Sequence, residues 1–384
     1  MQFALNPEQT LLKDAMDAFV RDHNGTAGRR TDRGQPRGYS VDNWRSLAEI
    51  GVLGLPFAVA EGGLGSGPRE LVTVMESLGR GLCVEPVLEE IVVAGGLLAR
   101  AGDPAQKQAW LPRVIGGETH LALAHFEQTA RFDLADVRVR ARNCGATVVL
   151  DGEKSVVPLA ALADQWIVSA REPGDGVDSA SIGLYLVSPT SPGIERRDFQ
   201  LIDGSKASAV RFRDVQTAGR LRGGFPEFSA AVDVARLAAG AEMVGLMSTL
   251  FEATVEYLKT RQQFGRPLSS FQALQHRLAD LYVRLEQSRS HLYRATACMA
   301  ANQDTECSVA GMKSYISRAA IELGEECVHL HGGIGTTDEL AIGHGYKRLL
   351  LLANLFGDSS SELVRFNRLQ NQRAGLRPPS NGLS

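Results

Sequence analysis

Cysteine is scarce and unpatterned: 384 residues hold five, at Cys83, Cys144, Cys298, Cys307 and Cys327, with no C-x-x-C spacing. That argues against a zinc ribbon or a disulfide framework and points to a reducing compartment, so we expect no metal and a cytoplasmic protein. Neither sign of charge dominates. The 41 basic and 44 acidic residues leave a net of -3, which supplies no basic field for nucleic acid and no acidic tail. Long apolar runs are also missing: stretches such as Ile91 to Ala99 stop far short of the ~18 residues that a bilayer span needs. Met1 to Leu12 contains Asn, Glu and Gln where a signal peptide has a basic and then an apolar region, so none is expected. No internal repeat or low-complexity segment stands out. DNA-binding, membrane-spanning, secreted and metal-scaffold classes are set aside before any motif is read.

What is present falls into three zones, at residues 1–118, 119–222 and 223–384. In the first, Leu11, Leu12, Ala15, Met16 and Phe19, then Trp44, Leu47, Ala48 and Ile50, recur at helical spacing. Asn6-Pro7 marks a helix start, and Gly51 to Pro56 and Gly62 to Gly65 break the zone into Gly-rich turns. The second zone reads as β. Thr147 to Leu150 predicts a strand ended by an Asp151-Gly152 turn, and Gln165 to Ser169, Ile182 to Val187 and Ala209 to Phe212 continue the series. Their spacing predicts a small antiparallel sandwich or barrel. The third zone is a helical bundle, with helices expected over Phe228 to Arg261, Ser270 to Met299 and Ser308 to His329. The tail after Arg373, with Pro378-Pro379 and Asn381-Gly382, reads as frayed.

The densest motif lies where one long helix should end and the next begin. It reads Arg261-Gln262-Gln263-Phe264-Gly265-Arg266-Pro267-Leu268, then Phe271-Gln272-Ala273-Leu274-Gln275-His276. An Arg can pair with phosphate, a Phe can cover an apolar ring, and the Gly-Arg-Pro turn holds both in place. Alone, the run reads first as a helical hairpin with a solvated Arg.

Other motifs accompany it in order. Leu53-Gly54-Leu55-Pro56 precedes Glu61-Gly62-Gly63-Leu64-Gly65, and His329-Leu330-His331-Gly332-Gly333-Ile334-Gly335 and Tyr346-Lys347-Arg348 follow. Together they resemble the acyl-CoA dehydrogenase family over nearly the whole chain. The resemblance implies an α+β fold: an N-terminal helical domain, a middle β-sandwich or barrel and a C-terminal helical bundle. It also implies FAD, an acyl-CoA substrate and an electron-transferring flavoprotein as acceptor. By similarity, Arg261 contacts the FAD pyrophosphate of a neighbouring subunit, with Gln263, Phe264, Phe271, Gln272, His329, Leu330, Gly332 and Gly333 around the same cofactor. The chemistry agrees, since Arg offers a fixed fork of donors and glycines let backbone approach an anion. His329 departs from the usual Gln, though a neutral imidazole still donates one hydrogen bond.

On the flavin-ring side the match is thinner. The family's T-E-P-x-A-G-S-D stretch is here Phe126-Glu127-Gln128-Thr129-Ala130-Arg131-Phe132-Asp133, and its G-x-K-x-W-I-T is Gly152-Glu153-Lys154-Ser155-Val156-Val157-Pro158. The resemblance still places Phe126 and Ser359 against the flavin. Val156 replaces a Trp, with far less apolar area to stack. Both usual positions of the catalytic Glu are vacant. The family's Y-E-G-T turn is Phe356-Gly357-Asp358-Ser359, and the alternative position falls on Ala235.

Asp358 could serve as base if an apolar pocket raised its pKa from ~3.9. The competing reading makes Ser359-Ser360-Ser361-Glu362 a capping box that opens a last helix from Leu363 to about Leu369, beside which a carboxylate stays ionised and unreactive. Arg236 is a second catalytic candidate, placed by the resemblance near the acyl thioester. His125 and His344 read as structural, and Ala238, Ala239, Met243 and Met247 as core. Three functions follow. The chain is a subunit of an α2β2 dehydrogenase whose homologous partner supplies the base, a self-sufficient homo-oligomer using Asp358, or a catalytically silent partner.

Overall fold

A computed structural model describes residues 5–23, 33–35, 37–145, 147–173 and 179–375; the far end of the tail, from residue 376, lies outside them. The chain divides into two compact units. One comprises Met1–Asp22, Val72–Leu82 and Arg236–Ser384, the other His23–Leu71 and Cys83–Ala235.

In the second unit, helix α2 (Val41–Ile50) begins where Ser40 Oγ accepts the Asn43 N–H and ends at Gly51, whose φ of 92° closes the turn. A π-helical stretch (Val87–Gly95) runs into α4 (Gly96–Ala101). Helix α5 (Pro104–Ile115) opens on a reciprocal box between Asp103 and Gln106.

The β zone forms one connected sheet, ordered β6 (Ile194–Gln200), β7 (Lys206–Thr217), β3 (Thr147–Pro158), β2 (Arg140–Cys144), β4 (Gln165–Arg171), β5 (Ile182–Val187), β8 (Gly219–Gly224), with β1 (Leu121–Ala124) on β4. The expectation of a purely antiparallel sheet is corrected here. Strand β1 runs parallel to β4, Leu121 opposite Gln165, and β2 meets β4 in parallel at Arg140 and Arg171. One apolar cluster joins residues from β1 to β5 and β7, with Trp166 meeting Phe212 edge-on at 6.3 Å, so the sheet wraps a single core. A second correction concerns Asp151-Gly152. These residues do not end a strand; β3 continues to Pro158 with a register shift against β7 between Leu150 and Gly152. An Asp-Gly pair suits a bulge as well as a turn, and only the pairing partner distinguishes them.

In the first unit, α1 (Pro7–His23) starts as its sequence predicts, with Asn6 Oδ1 accepting the Gln9 N–H at 2.8 Å. Helix α3 is Pro68–Arg80 and α6 is Phe225–Thr260. They cross closely, since a Cβ at Gly79 would run into the Glu242 backbone and one at Gly245 into that of Glu76. Helices α7 (Gln272–Ala300), α8 (Thr305–His331), α9 (Ala341–Asn354) and α10 (Ser359–Arg373) complete the bundle. A buried ion pair, Arg348 Nε to Glu242 Oε1 at 2.7 Å, ties α9 to α6. Helix α6 is long and apolar enough to cross a bilayer, contrary to the sequence expectation, but 83% of that window is buried in the fold. Ala238, Ala239, Met243 and Met247 on it are fully buried core. The helical, β, helical order is the one expected.

Candidate functional site

The sequence-selected residues of the first unit gather at two ends of α8. Near its C-terminal end lies the Arg261 motif. Helix α6 stops at Thr260, and the Arg261 N–H donates to Tyr257 O at 2.8 Å. The chain then reverses in a hairpin of two two-residue strands, β9 (Gln262–Gln263) and β10 (Arg266–Pro267). Phe264 and Gly265 turn it with φ of 54° and 77°, the paired positive values of a tight hairpin. Phe264 is thereby thrust out, 90% exposed. Its ring neighbour among the described residues is Phe271, edge-on at 6.2 Å, over which the Arg266 guanidinium lies at 4.0 Å.

Tyr257 links this hairpin to the end of α8: its hydroxyl donates to His331 O at 3.3 Å and its ring stacks on His331 at 4.3 Å. His329 Nδ1 accepts from Arg277 on α7 at 2.9 Å, an assignment that leaves its proton on Nε2. Leu330 is buried beneath, while a Cβ on Gly332 or Gly333 would meet nothing within 4 Å. The side chains of Arg261, Gln263 and Gln272 are exposed and hold no ion pair or hydrogen bond with a described residue. An uncommitted guanidinium beside accessible glycine backbone is suited to an anion.

The other end of α8 is closed. Arg236 Nη2 pairs with Glu362 Oε1 at 2.9 Å, with the two side chains 3% and 2% exposed, and Arg236 Nε donates to Phe356 O at 3.0 Å. Lys313 Nζ reaches Leu352 O, Ala353 O and Gly357 O at 2.9–3.0 Å and Ser317 Oγ at 3.1 Å. Burial drives its pKa down to about 7, against the upward pull of Glu362. Phe356 and Gly357 hold φ of 57° and 133°. A Cβ at Gly357 would run into the Glu362 carboxylate, whose Cδ would lie 3.0 Å away. Asp358 is the N-cap of α10, its Oδ1 accepting the Ser361 N–H at 2.7 Å. Ser359 and Ser314 exchange hydrogen bonds: Ser359 Oγ donates to Ser314 O at 2.9 Å, and Ser314 Oγ donates to Ser359 O at 2.8 Å.

The expected Ser359–Glu362 capping box is therefore corrected. The helix begins earlier, at Ser359 rather than Leu363, and Glu362 turns inward because Arg236 offers it a buried charge. Glu362 and Lys313 were missed by the sequence reading. Lys313 carries a signal, since its helical neighbours Val309, Ala310 and Ile316 are apolar and buried, whereas Glu362 carries none: Leu363 and Val364 beside it are exposed.

Phe126 belongs to the second unit. It makes an isolated bridge to Val156, and its carbonyl accepts the Ser155 N–H at 2.8 Å and the Ser155 hydroxyl at 3.2 Å. The neighbouring Glu127 carboxylate receives Lys154 Nζ at 2.6 Å and the Arg138 and Val139 N–H groups at 2.8 and 3.2 Å. Burial lowers the Lys154 pKa to about 8. His125 bonds Ser169 Oγ at 2.9 Å, and burial holds its pKa well below the usual imidazole value, so it stays neutral. These matched residues clip strands together.

The comparisons give this arrangement its class. Residues 6–118 match the N-terminal domain model of acyl-CoA dehydrogenases and residues 222–365 the C-terminal one, together about two-thirds of the chain. The chain belongs to the acyl-CoA dehydrogenase family. A mitochondrial isovaleryl-CoA dehydrogenase from Pongo abelii is 28% identical, over 94% of this chain and 88% of its own. Among solved structures, a Tcur3481-Tcur3483 steroid ACAD variant superposes with a TM-score of 0.86 at 29% identity, covering 96% of this chain and 99% of that one. The ChsE4-ChsE5 complex from Mycobacterium tuberculosis superposes at 0.86 with 24% identity, covering 98% and 100%.

Family members are FAD-dependent oxidoreductases acting on CH–CH bonds, and FAD is the cofactor of this chain's class. The residues at the Arg261 end have the chemistry that such a diphosphate-bearing group needs: Arg261 is uncommitted and the glycine backbone is open. At the closed end, Ser359 spends its hydroxyl proton internally.

Proposed function

We propose that the chain is the base-lacking subunit of a heteromeric acyl-CoA dehydrogenase, completing an FAD site with a homologous chain that supplies the catalytic carboxylate. The observation that carries this reading is the Gly357 turn. Where the family's Glu would project there is no side chain, and the Glu362 carboxylate fills the space while paired to Arg236. A carboxylate neutralised by a buried guanidinium is a poor proton acceptor. Asp358, the remaining acid, commits Oδ1 to capping the N-terminus of α10. A self-sufficient enzyme using Asp358 is disfavoured for that reason.

In this reading Arg261 grips the cofactor diphosphate of the mate, Gly332 and Gly333 let backbone approach it, and Phe264 covers apolar ring surface. FAD, when bound, takes the hydride from the acyl-CoA. Arg236 holds the turn in place rather than touching substrate. The details at Phe356-Gly357-Asp358 and Arg131 to Asp136 resemble small subunits of pimeloyl-CoA dehydrogenase. The two-protein complex among the solved neighbours supports the α2β2 assignment, with an electron-transferring flavoprotein as acceptor and a cytoplasmic setting.

Flavin content tests it. The chain purified alone is expected to be colourless and to gain FAD on co-expression with its partner dehydrogenase. A yellow, active protein carrying about one FAD per chain without any partner overturns the proposal.

A further inference from the structure

We infer that the second unit carries a binding pocket for a small phosphorylated anion of nucleotide size, walled by Arg100, Lys107 and Arg222. This rests on no part of the dehydrogenase reading. The pocket encloses about 730 Å³ between the end of α4, the first turns of α5, β8 and the short 3-10 turn Val59–Glu61, a volume typical of small-molecule sites.

Its walls are tied to one another. Gln106 Nε2 on α5 donates to Arg220 O on β8 at 3.1 Å. Lys107 Nζ pairs with Glu61 Oε1 at 3.4 Å, joining α5 to the 3-10 turn. A Cβ on Gly223 would lie 2.9 Å from the Ala101 Cα, so β8 packs directly on the end of α4 and sets Arg222 on the same wall as Arg100. The shape is therefore built, not left by a loose loop.

Its charge is unbalanced. Glu61 is the one acid among the lining residues and is engaged by Lys107. Arg100 and Arg222 form no ion pair or hydrogen bond with any described residue. Several other arginines of this sheet are matched: Arg142 to Asp151 at 2.6 Å, Arg213 to Glu195 at 3.0 Å, and Arg220, two residues from Arg222, to Glu172 at 2.6 Å; Arg140 and Arg197 are uncommitted like Arg222 but do not line this concavity. Two unspent guanidinium forks and an ammonium around one concavity focus positive potential there. Guanidinium forks match phosphate oxygens bidentately, and a lysine adds a point charge. A diphosphate can engage both forks at once and still be balanced by Lys107, which a dicarboxylate does less well.

Calorimetric titration of the purified chain at low salt, with inorganic pyrophosphate, ADP and glutarate as probes, tests the assignment. Saturable binding of pyrophosphate and ADP is expected, with glutarate at least ~10-fold weaker. Arg100→Gln and Arg222→Gln should each weaken ADP about 10-fold or more, while Arg113→Gln, on α5 outside the pocket, should leave it unchanged. No saturable binding overturns the proposal. So does equal weakening by Arg113→Gln, which would mean bulk charge alone. A loss in Arg261→Ala with the pocket variants unaffected also overturns it, by moving the ligand to the α6–α7 hairpin. The substituted side chains, Arg100, Arg222, Arg113 and Arg261, are all exposed, and unchanged circular dichroism confirms that each variant is folded.

Discussion

Two groups of polar side chains gather around His329 and Lys313 of helix α8, about 24 Å apart at 1.5 Å per residue, and they are built on opposite principles. Around His329, the polar groups contributed by Arg261, Gln263 and Gln272 face outward with nothing in the described chain to bind. Around Lys313, donors and acceptors are matched internally: three carbonyls and a hydroxyl on one ammonium, a carboxylate on Arg236, a cap on Ser361. Burial explains the difference. A buried charge without a partner costs several kcal/mol and is selected to be matched at home, whereas an exposed one can wait for a ligand. The open end is suited to holding something that the chain does not itself provide. The closed end holds a turn.

The largest test of that contrast is Glu362→Gln. Removing the carboxylate strips the buried Arg236 of its ion-pair partner Glu362, and we expect a loss of about 3–5 kcal/mol in denaturant unfolding. Replacing both partners, Glu362→Leu with Arg236→Met, should recover most of it. A loss below ~1 kcal/mol in the single variant would break the comparison, since the closed end would then be no more matched than the open one.

At the open end, Arg261→Ala should leave unfolding unchanged while FAD retention by the assembled enzyme falls 10- to 100-fold, as expected for a charge-assisted contact of roughly 1.5–3 kcal/mol. Arg266→Ala should matter less, because its guanidinium already rests on Phe271. Equal flavin content in the two variants would remove the assignment of Arg261.

A pH series sharpens the closed end. Lys313 is lowered to about 7 in the fold, against about 10.4 for an unfolded lysine. Above pH 7 the native state therefore sheds a proton that the unfolded chain keeps, and stability rises with pH up to about 10. The slope from this residue is about 1.4 kcal/mol per pH unit. Chemical denaturation at pH 7, 8 and 9 should show that rise in the wild type and a smaller one in Lys313→Met. Lys154, lowered to about 8, contributes in the same direction and remains in both proteins. Identical slopes would mean that Lys313 keeps its proton throughout.

The smallest effect is expected at Asp358. Asn caps a helix about as well as Asp, so Asp358→Asn should change stability by a few tenths of a kcal/mol, and Asp358→Ala by about 1. Flavin reduction by the assembled enzyme should be unaffected. A fall of ~10²–10⁴-fold with FAD content unchanged would make Asp358 the base after all.

Periodicity and local motifs carried much of this protein. Asn6-Pro7, the long helix α6, Ile182 to Val187 and the turn after Arg261 were all legible, because capping, helical spacing and hairpin turns depend on neighbours in sequence. What the sequence left open depends on distant neighbours. Asp151-Gly152 became a bulge because β7 pairs past it, and β1 lies parallel to a strand more than forty residues on. Ser359-x-x-Glu362 has the form of a capping box, yet Glu362 turned inward since Arg236, on another helix, supplied a charge that solvent could not. Local preference of about 1 kcal/mol sets a helix start; a buried ion pair, worth several when broken, decides where a side chain points, and its partner is known only once the chain has folded.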